Sequence, residues 1–146
     1  MARTGAMALR TLFMSADKSA LEWVLRDEVA AADFAEVTSA PGALVAGCHL
    51  TALEIGYSAR SHADYIAKIA GQKALVRLPV TEEAMDRALE VQGLLAARGA
   101  HRLPIPDLIL AAIAEVNDAT VLHVDSDYQT IAEITGQPHR RLGTKT

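Results

Sequence analysis

Short apolar runs alternate with amphipathic stretches along most of the chain. Strand-like apolar runs occupy residues 11–16, 44–50, 75–80 and 119–124, and a short edge strand is predicted near residues 140–142. Stretches with helical spacing follow them, beginning near residue 19 and then covering residues 30–36, 51–60, 62–72, 81–99, 107–116 and 126–135. This alternation predicts a three-layer α/β/α domain, in which helices cover both faces of a central, mostly parallel sheet.

Two hydroxyl residues that each precede a glutamate by three positions predict where helices begin. Ser19 with Glu22, and Thr51 with Glu54, match the capping-box pattern, in which the hydroxyl accepts a hydrogen bond from the first helical turn. Residues 103–106 contain two prolines and are predicted to be extended, because proline disfavours helix in the residue before it. The next helix is therefore predicted to open at residue 107.

The bulk composition describes one ordinary globular domain. The chain has 146 residues, 51% of them hydrophobic, and no composition break that would mark a second domain. We expect a single domain over residues 11–146, preceded by a tail or vector-derived remnant over residues 1–10. A net charge of −4 argues against a protein that coats nucleic acid through many basic contacts. It is compatible with an enzyme that holds nucleic acid through metal ions and a few arginines.

Nothing in the sequence predicts export or membrane insertion. Cys48 is the only cysteine, so no internal disulfide is expected, and its apolar neighbours predict a small core residue rather than a nucleophile. The apolar runs are far shorter than the roughly 20 residues of a membrane span, and the N-terminal residues lack the apolar segment of a signal peptide. We therefore expect a cytoplasmic protein with no membrane partner.

Four carboxylates lie where strand-like runs pass into helices: Asp17, Glu54, Asp107 and Asp125. In a parallel sheet the carboxyl ends of the strands share one edge, so these side chains are expected to converge there. Each could instead cap or stabilise the start of its own helix. Four such acids are less easily explained as independent caps, and clustered carboxylates repel one another unless a cation joins them. Because carboxylate oxygens are preferred ligands of Mg²⁺ and Mn²⁺, the pattern predicts a divalent-metal site.

The same acids lie in four segments whose order and spacing resemble a known family. The segments are residues 17–20, 50–56, 105–112 and 121–128. Together they resemble the PIN domain, and specifically the VapC-type toxin ribonucleases of bacterial toxin–antitoxin pairs. The resemblance implies that Asp17, Glu54, Asp107 and Asp125 are the catalytic residues and hold one or two Mg²⁺ or Mn²⁺ ions. It also makes Asp127 an additional candidate ligand.

The resemblance further implies an activity and partners. It implies an Mg²⁺-dependent endoribonuclease toxin that hydrolyses RNA phosphodiesters, with Mn²⁺ as a substitute ion, and a VapB-like antitoxin that neutralises it. Ser19 takes the position of a family hydroxyl that supports the metal site. Apolar residues in the predicted helices between residues 30 and 72 predict an interface for a homodimer and for the antitoxin. These residues are Phe34, Ile55, Tyr57, Tyr65, Ile66 and Ile69.

Basic and imidazole side chains near the acids leave two interpretations open. Arg98, His101 and Arg102 precede the third of the four acids, and they are either a solvated helix end or contacts to RNA phosphates. His123, two residues before Asp125, shares a strand face with it and is expected to be structural or to line the substrate site rather than to bind metal.

Two other functions remain open from the sequence. A phospho-acceptor receiver domain is also a single α/β domain with a carboxylate pocket, but it normally has an acid pair after its first strand, whereas Lys18 follows Asp17 here. A catalytically inactive PIN-fold binding module would not need the intact set of acids. Cleavage of RNA with and without EDTA distinguishes the metal-dependent nuclease from both alternatives.

Overall fold

A computed structural model describes residues 11–143, so the tail expected over residues 1–10 lies outside the described part of the chain. Every predicted strand and helix is present, although several ends differ. In chain order the elements are β1 (Leu12–Ala16), α1 (Lys18–Val24), α2 (Glu28–Thr38), β2 (Ala43–Gly47), α3 (His49–Tyr57), α4 (His62–Lys73), β3 (Val76–Arg77), α5 (Glu82–Ala96), α6 (Ile105–Val116), β4 (Ala119–His123), α7 (Ser126–Thr135) and β5 (His139–Arg141).

The five strands form one sheet in the order β3-β2-β1-β4-β5, and all four strand pairs are parallel. β1 is the central strand and β2 and β4 flank it, which agrees with the largely apolar sequences of all three. β3 is much shorter than the predicted run over residues 75–80. After Leu78 donates its N–H to the carbonyl of Gly47 at 2.8 Å, Pro79 has no N–H with which to continue the ladder.

Helices cover both faces of the sheet and give the expected three layers. On one face α5, α6 and α7 pack against β2 and β4 through a large core that includes Leu95, Leu110 and Ile113. On the other face a smaller core around Leu122 and Leu142 packs against α1 and α2. None of the helices within residues 11–143 is both long and apolar enough to cross a bilayer.

Two helix starts differ from the capping-box predictions. The carboxylate of Asp17, not the hydroxyl of Ser19, caps α1, and its Oδ1 accepts the N–H of Ala20 at 2.8 Å. The predicted start of α3 at Thr51 is wrong, because the helix begins two residues earlier with Cys48 at its N-cap. Thr51 is buried in the first turn, with its hydroxyl 3.7 Å from the Cys48 sulfur, so it has no capping role.

α6 also begins earlier than predicted. It starts at Ile105 rather than residue 107, with Pro106 in its first turn. Proline is tolerated there because the first N–H groups of a helix have no partner within the helix. Asp107 therefore lies one turn into the helix from its N-cap, close to the positive end of the helix dipole.

Candidate metal centre

Two of the predicted acids lie at the ends of the central strands. Asp17 follows β1 and caps α1, and Asp125 follows β4 and caps α7 by accepting the N–H of Asp127 at 2.9 Å. Because β1 and β4 are parallel neighbours, both acids lie at the same edge of the sheet. The capping interpretation is correct for both, but each cap uses a single oxygen, Oδ1. Capping therefore orients these carboxylates without occupying their second oxygens.

The other acids approach the same edge from α6, α7 and α3. Asp107, Asp125 and Asp127 each place one carboxylate oxygen within 4.8 Å of those of the other two. Asp17 lies close enough for its charge to raise the pKa of Asp107, and the charge of Glu54 raises the pKa of Asp17. The four acids predicted from the sequence and Asp127 thus form one cluster, which we call the acid cluster.

Burial and the charges of neighbouring acids raise the pKa values of several residues in the acid cluster. Burial raises the pKa of Asp17 from 3.8 to about 6, against the lowering effect of the Ala20 N–H. Burial also raises the pKa of Asp107 to about 6, and the charges of its acidic neighbours add to the effect. The pKa of Glu54 is raised by burial and partly lowered by Lys18. Carboxylates held in this way favour either a proton or a cation.

Tyr128 holds one of these carboxylates in place. It lies in the first turn of α7, three residues after Asp125, and only 2% of its surface is exposed. Its hydroxyl donates to Oδ1 of Asp107 at 3.1 Å and also lies within reach of Asp17, whose pKa it lowers. Because a hydroxyl carries one proton, we assign it to Asp107, where the hydrogen bond is well formed. No local pattern in the sequence points to this role of Tyr128, although it lies three residues after Asp125 on α7.

Two hydrogen-bonded histidines, His123 and His139, hold the backbone of Asp125 in place. His123 is buried, and its Nδ1 accepts the backbone N–H of Asp125 at 3.2 Å. Its Nε2 lies 2.9 Å from Nδ1 of His139, so the neutral ring donates there. Burial lowers the pKa of His123 to about 4, and the nearby His139 and Arg141 contribute. This agrees with the expected structural role of His123, whose partner is His139 on β5.

The remaining candidate residues are exposed and are not members of the acid cluster. Ser19 is exposed in the first turn of α1. Arg98, His101 and Arg102 are exposed in the loop between α5 and α6, which leads directly into the helix that carries Asp107.

The donor set of the acid cluster fits a divalent cation. All its donors are carboxylate oxygens, the ligands that Mg²⁺ and Mn²⁺ prefer, and three of them lie within 4.8 Å of one another. The raised pKa values of Asp17 and Asp107 indicate negative charge that the surrounding protein does not fully compensate. A bound dication would supply that compensation.

Most of the chain matches a known protein family. The family model described as "PIN domain" matches residues 14–134. Ribonuclease VapC2 of Mycobacterium tuberculosis is 48% identical over 97 residues, which are 64% of this chain and 68% of that protein. The chain belongs to the VapC group of the PIN domain family. The resemblance drawn from the sequence is thereby confirmed, and a receiver-type signalling domain is not favoured.

Solved structures agree on the fold of this PIN domain. VapBC-1 from nontypeable Haemophilus influenzae matches with a TM-score of 0.72 at 15% identity, covering 89% of this chain and 98% of that chain. VapBC-5 from Mycobacterium tuberculosis, a member of the VapBC family of toxin–antitoxin systems, matches with a TM-score of 0.64 at 22% identity, covering 90% and 98%. At these identities the matches support the α/β/α fold alone.

Proposed function

We propose that this VapC-type PIN domain is a divalent-metal-dependent endoribonuclease toxin. The observation that carries the proposal is the acid cluster at the carboxyl edge of β1 and β4, in a chain similar to proteins named as ribonucleases. We propose Asp17, Glu54, Asp107 and Asp125 as the ligand and catalytic set, with Asp127 as a further ligand. Mg²⁺ is the proposed ion, and Mn²⁺ is the substitute, because both are hard cations that bind carboxylate oxygens.

The chain's own residues would organise the reaction. When bound, the ions would polarise the scissile phosphate and lower the pKa of a water molecule so that hydroxide is available near neutral pH. The N–H of Ala20 donates to one oxygen of Asp17, and the N–H of Asp127 donates to one oxygen of Asp125. Each hydrogen bond fixes the direction of the other oxygen of that carboxylate. Tyr128 does the same for Asp107. No histidine or cysteine nucleophile is needed in this scheme.

The proposed partners are RNA, a VapB-like antitoxin and a second copy of the chain. An apolar groove between α3 and α4 supports a protein interface there, since Leu53, Tyr57 and Tyr65, which line it, are 72%, 92% and 43% exposed. Ile55, included in the predicted interface, is instead buried and belongs to the interior. A monomeric mass at micromolar concentration would remove the homodimer from this proposal. We place the toxin in the cytoplasm, where its proposed RNA substrate is found.

Cleavage of labelled RNA tests the catalytic proposal. The purified protein is expected to cleave RNA in Mg²⁺, to lose activity in EDTA, and to regain it when Mg²⁺ or Mn²⁺ is added in excess. Asp107→Ala is expected to abolish cleavage and toxicity while the fold, followed by circular dichroism, survives. Asp86→Ala is the matched control, because it removes an exposed acid of α5 outside the acid cluster. EDTA-resistant cleavage, or wild-type cleavage by Asp107→Ala, would contradict the proposal.

A further inference from the structure

Arg141 ends the edge strand β5 beside the acid cluster. Parallel pairing aligns Arg141 with His123 on β4. The N–H of Asp17 donates to the carbonyl of Leu122 at 3.2 Å, so Asp17 extends β1 by one residue. It is therefore level with His123 on β4 and with Arg141 on β5. Neighbouring strands are about 4.8 Å apart. The Cα of Arg141 is therefore about two strand spacings from that of Asp17, at the outer side of the acid cluster.

Strand alternation gives the two neighbouring arginines of β5 opposite directions. His139 contacts the His123 ring on the face covered by α7, and Arg141, two residues later, shares that face. Arg140 points to the other face, where its guanidinium pairs with two acids of α2 at 3.6 and 3.4 Å. The two arginines are adjacent in sequence, but only Arg141 lies on the side of the acid cluster.

The positive charge of Arg141 is not neutralised within the described chain. Arg141 is exposed, and the ion pairs found among residues 11–143 do not include it. Four other cations are paired with carboxylates: Lys18, Lys68, Arg87 and Arg140. The guanidinium lies close enough to His123 for its charge to lower the pKa of that histidine. Together with the strand register, this places Arg141 beside the acid cluster.

We propose that Arg141 binds an RNA phosphate next to the scissile phosphate. The inference rests on the proposed ribonuclease function and adds a substrate contact to it. Ions at the acid cluster would offset the charge of the phosphate being cut, but a neighbouring phosphate would still face a protein with a net charge of −4. A guanidinium can donate two parallel hydrogen bonds to such a phosphate. This contact positions the RNA backbone and reads no base sequence.

Steady-state cleavage of a short single-stranded RNA in Mg²⁺ tests the assignment over a series of salt concentrations. Arg141→Ala is expected to raise KM roughly tenfold with little change in kcat, as for the loss of one charge-assisted contact. The slope of log KM against log salt concentration is expected to fall by about 0.7, the contribution of one phosphate contact on a single strand. Arg141→Lys keeps the charge and should preserve the salt slope, although a lysine cannot make the bidentate hydrogen bonds of a guanidinium.

Arg140→Ala is the matched control, because it removes the same charge from the same strand on the opposite face. It is expected to leave KM and the salt slope unchanged, with a small loss of thermal stability from the broken ion pairs. If Arg141→Ala keeps the wild-type KM and salt slope, the assignment is wrong. It is equally wrong if only kcat falls, which would indicate that Arg141 acts through His123. Failure of the wild type to cleave RNA would instead overturn the proposed function itself.

Discussion

Replacing Asp17 by asparagine should stabilise the metal-free protein. Asp17 is 6% exposed, and burial raises its pKa from 3.8 to about 6. The folded state therefore holds a proton on this group more tightly than the unfolded state does. Above pH 6 the carboxylate is ionised in both states, and its ionisation destabilises the fold. Below pH 4 it is protonated in both, and the destabilisation disappears.

The size of the effect follows from the same values. The difference between 3.8 and about 6 corresponds to about 3 kcal/mol, at about 1.4 kcal/mol per pKa unit. Asparagine keeps a side-chain oxygen to accept the N–H of Ala20, so the helix cap survives. Its buried amide must find partners of its own, which reduces the gain. We expect Asp17→Asn to raise the free energy of unfolding by about 1 to 3 kcal/mol at pH 7.5 in EDTA.

Urea denaturation between pH 4 and pH 8 measures this difference. The advantage of Asp17→Asn should be full above pH 6, shrink as the pH falls through 6, and vanish near pH 4. Asp27→Asn is the matched control, because Asp27 caps α2 by accepting the N–H of Ala30 at 2.8 Å, outside the acid cluster. Since asparagine and aspartate are similar N-caps, this variant should change stability little.

Added metal should reverse the order of stability. A ligand that binds only the folded state stabilises it in proportion to the logarithm of its concentration over Kd. The wild type should therefore gain stability in millimolar Mn²⁺, and Asp17→Asn should gain less. If Asp17→Asn is no more stable than the wild type at pH 7.5 in EDTA, the buried charge of Asp17 does not destabilise the fold.

Two further predictions concern the hydroxyl at the acid cluster and inhibition. Tyr128→Phe should weaken Mn²⁺ binding about 10- to 100-fold in calorimetric titration, because Asp107 loses the donor that orients it, whereas Tyr65→Phe should bind Mn²⁺ like the wild type. Equal affinities for all three proteins would contradict this. An antitoxin peptide that carries an arginine should inhibit cleavage by placing its guanidinium among the acids. Excess Mg²⁺ and Arg→Ala in the peptide should each weaken that inhibition, and insensitivity to both would locate the antitoxin elsewhere.

The sequence alone determined the order of elements and the candidate acids. The alternation of apolar runs with helical spacing gave every strand and helix, because each element must bury one face or one stripe locally. The positions of Asp17 and Asp125 after the first and fourth strand-like runs placed them at one edge of a parallel sheet. Family resemblance then gave the chemistry that local patterns left open.

Helix starts were only partly determined by local pattern. Thr51 and Glu54 match a capping box, but the strand β2 ends early enough for α3 to begin at His49. Thr51 is then buried, and Glu54 has no capping role and is directed to the acid cluster. Which of two competing starts a helix adopts depends on where the preceding strand ends, and strand pairing decides that.

Only the tertiary structure decided which polar side chains support the acids. His139 lies 16 residues after His123 and Tyr128 lies 21 after Asp107, yet each pair is joined by a hydrogen bond. These contacts depend on strand register and on the return of α7 over the sheet, and no periodicity in the sequence encodes either. Strand alternation alone sends Arg140 and Arg141 to opposite faces, but only the register shows which of them shares a face with the acid cluster. A local pattern specifies which face a residue shares with its near neighbours, whereas its partners across the sheet follow only from the packed fold.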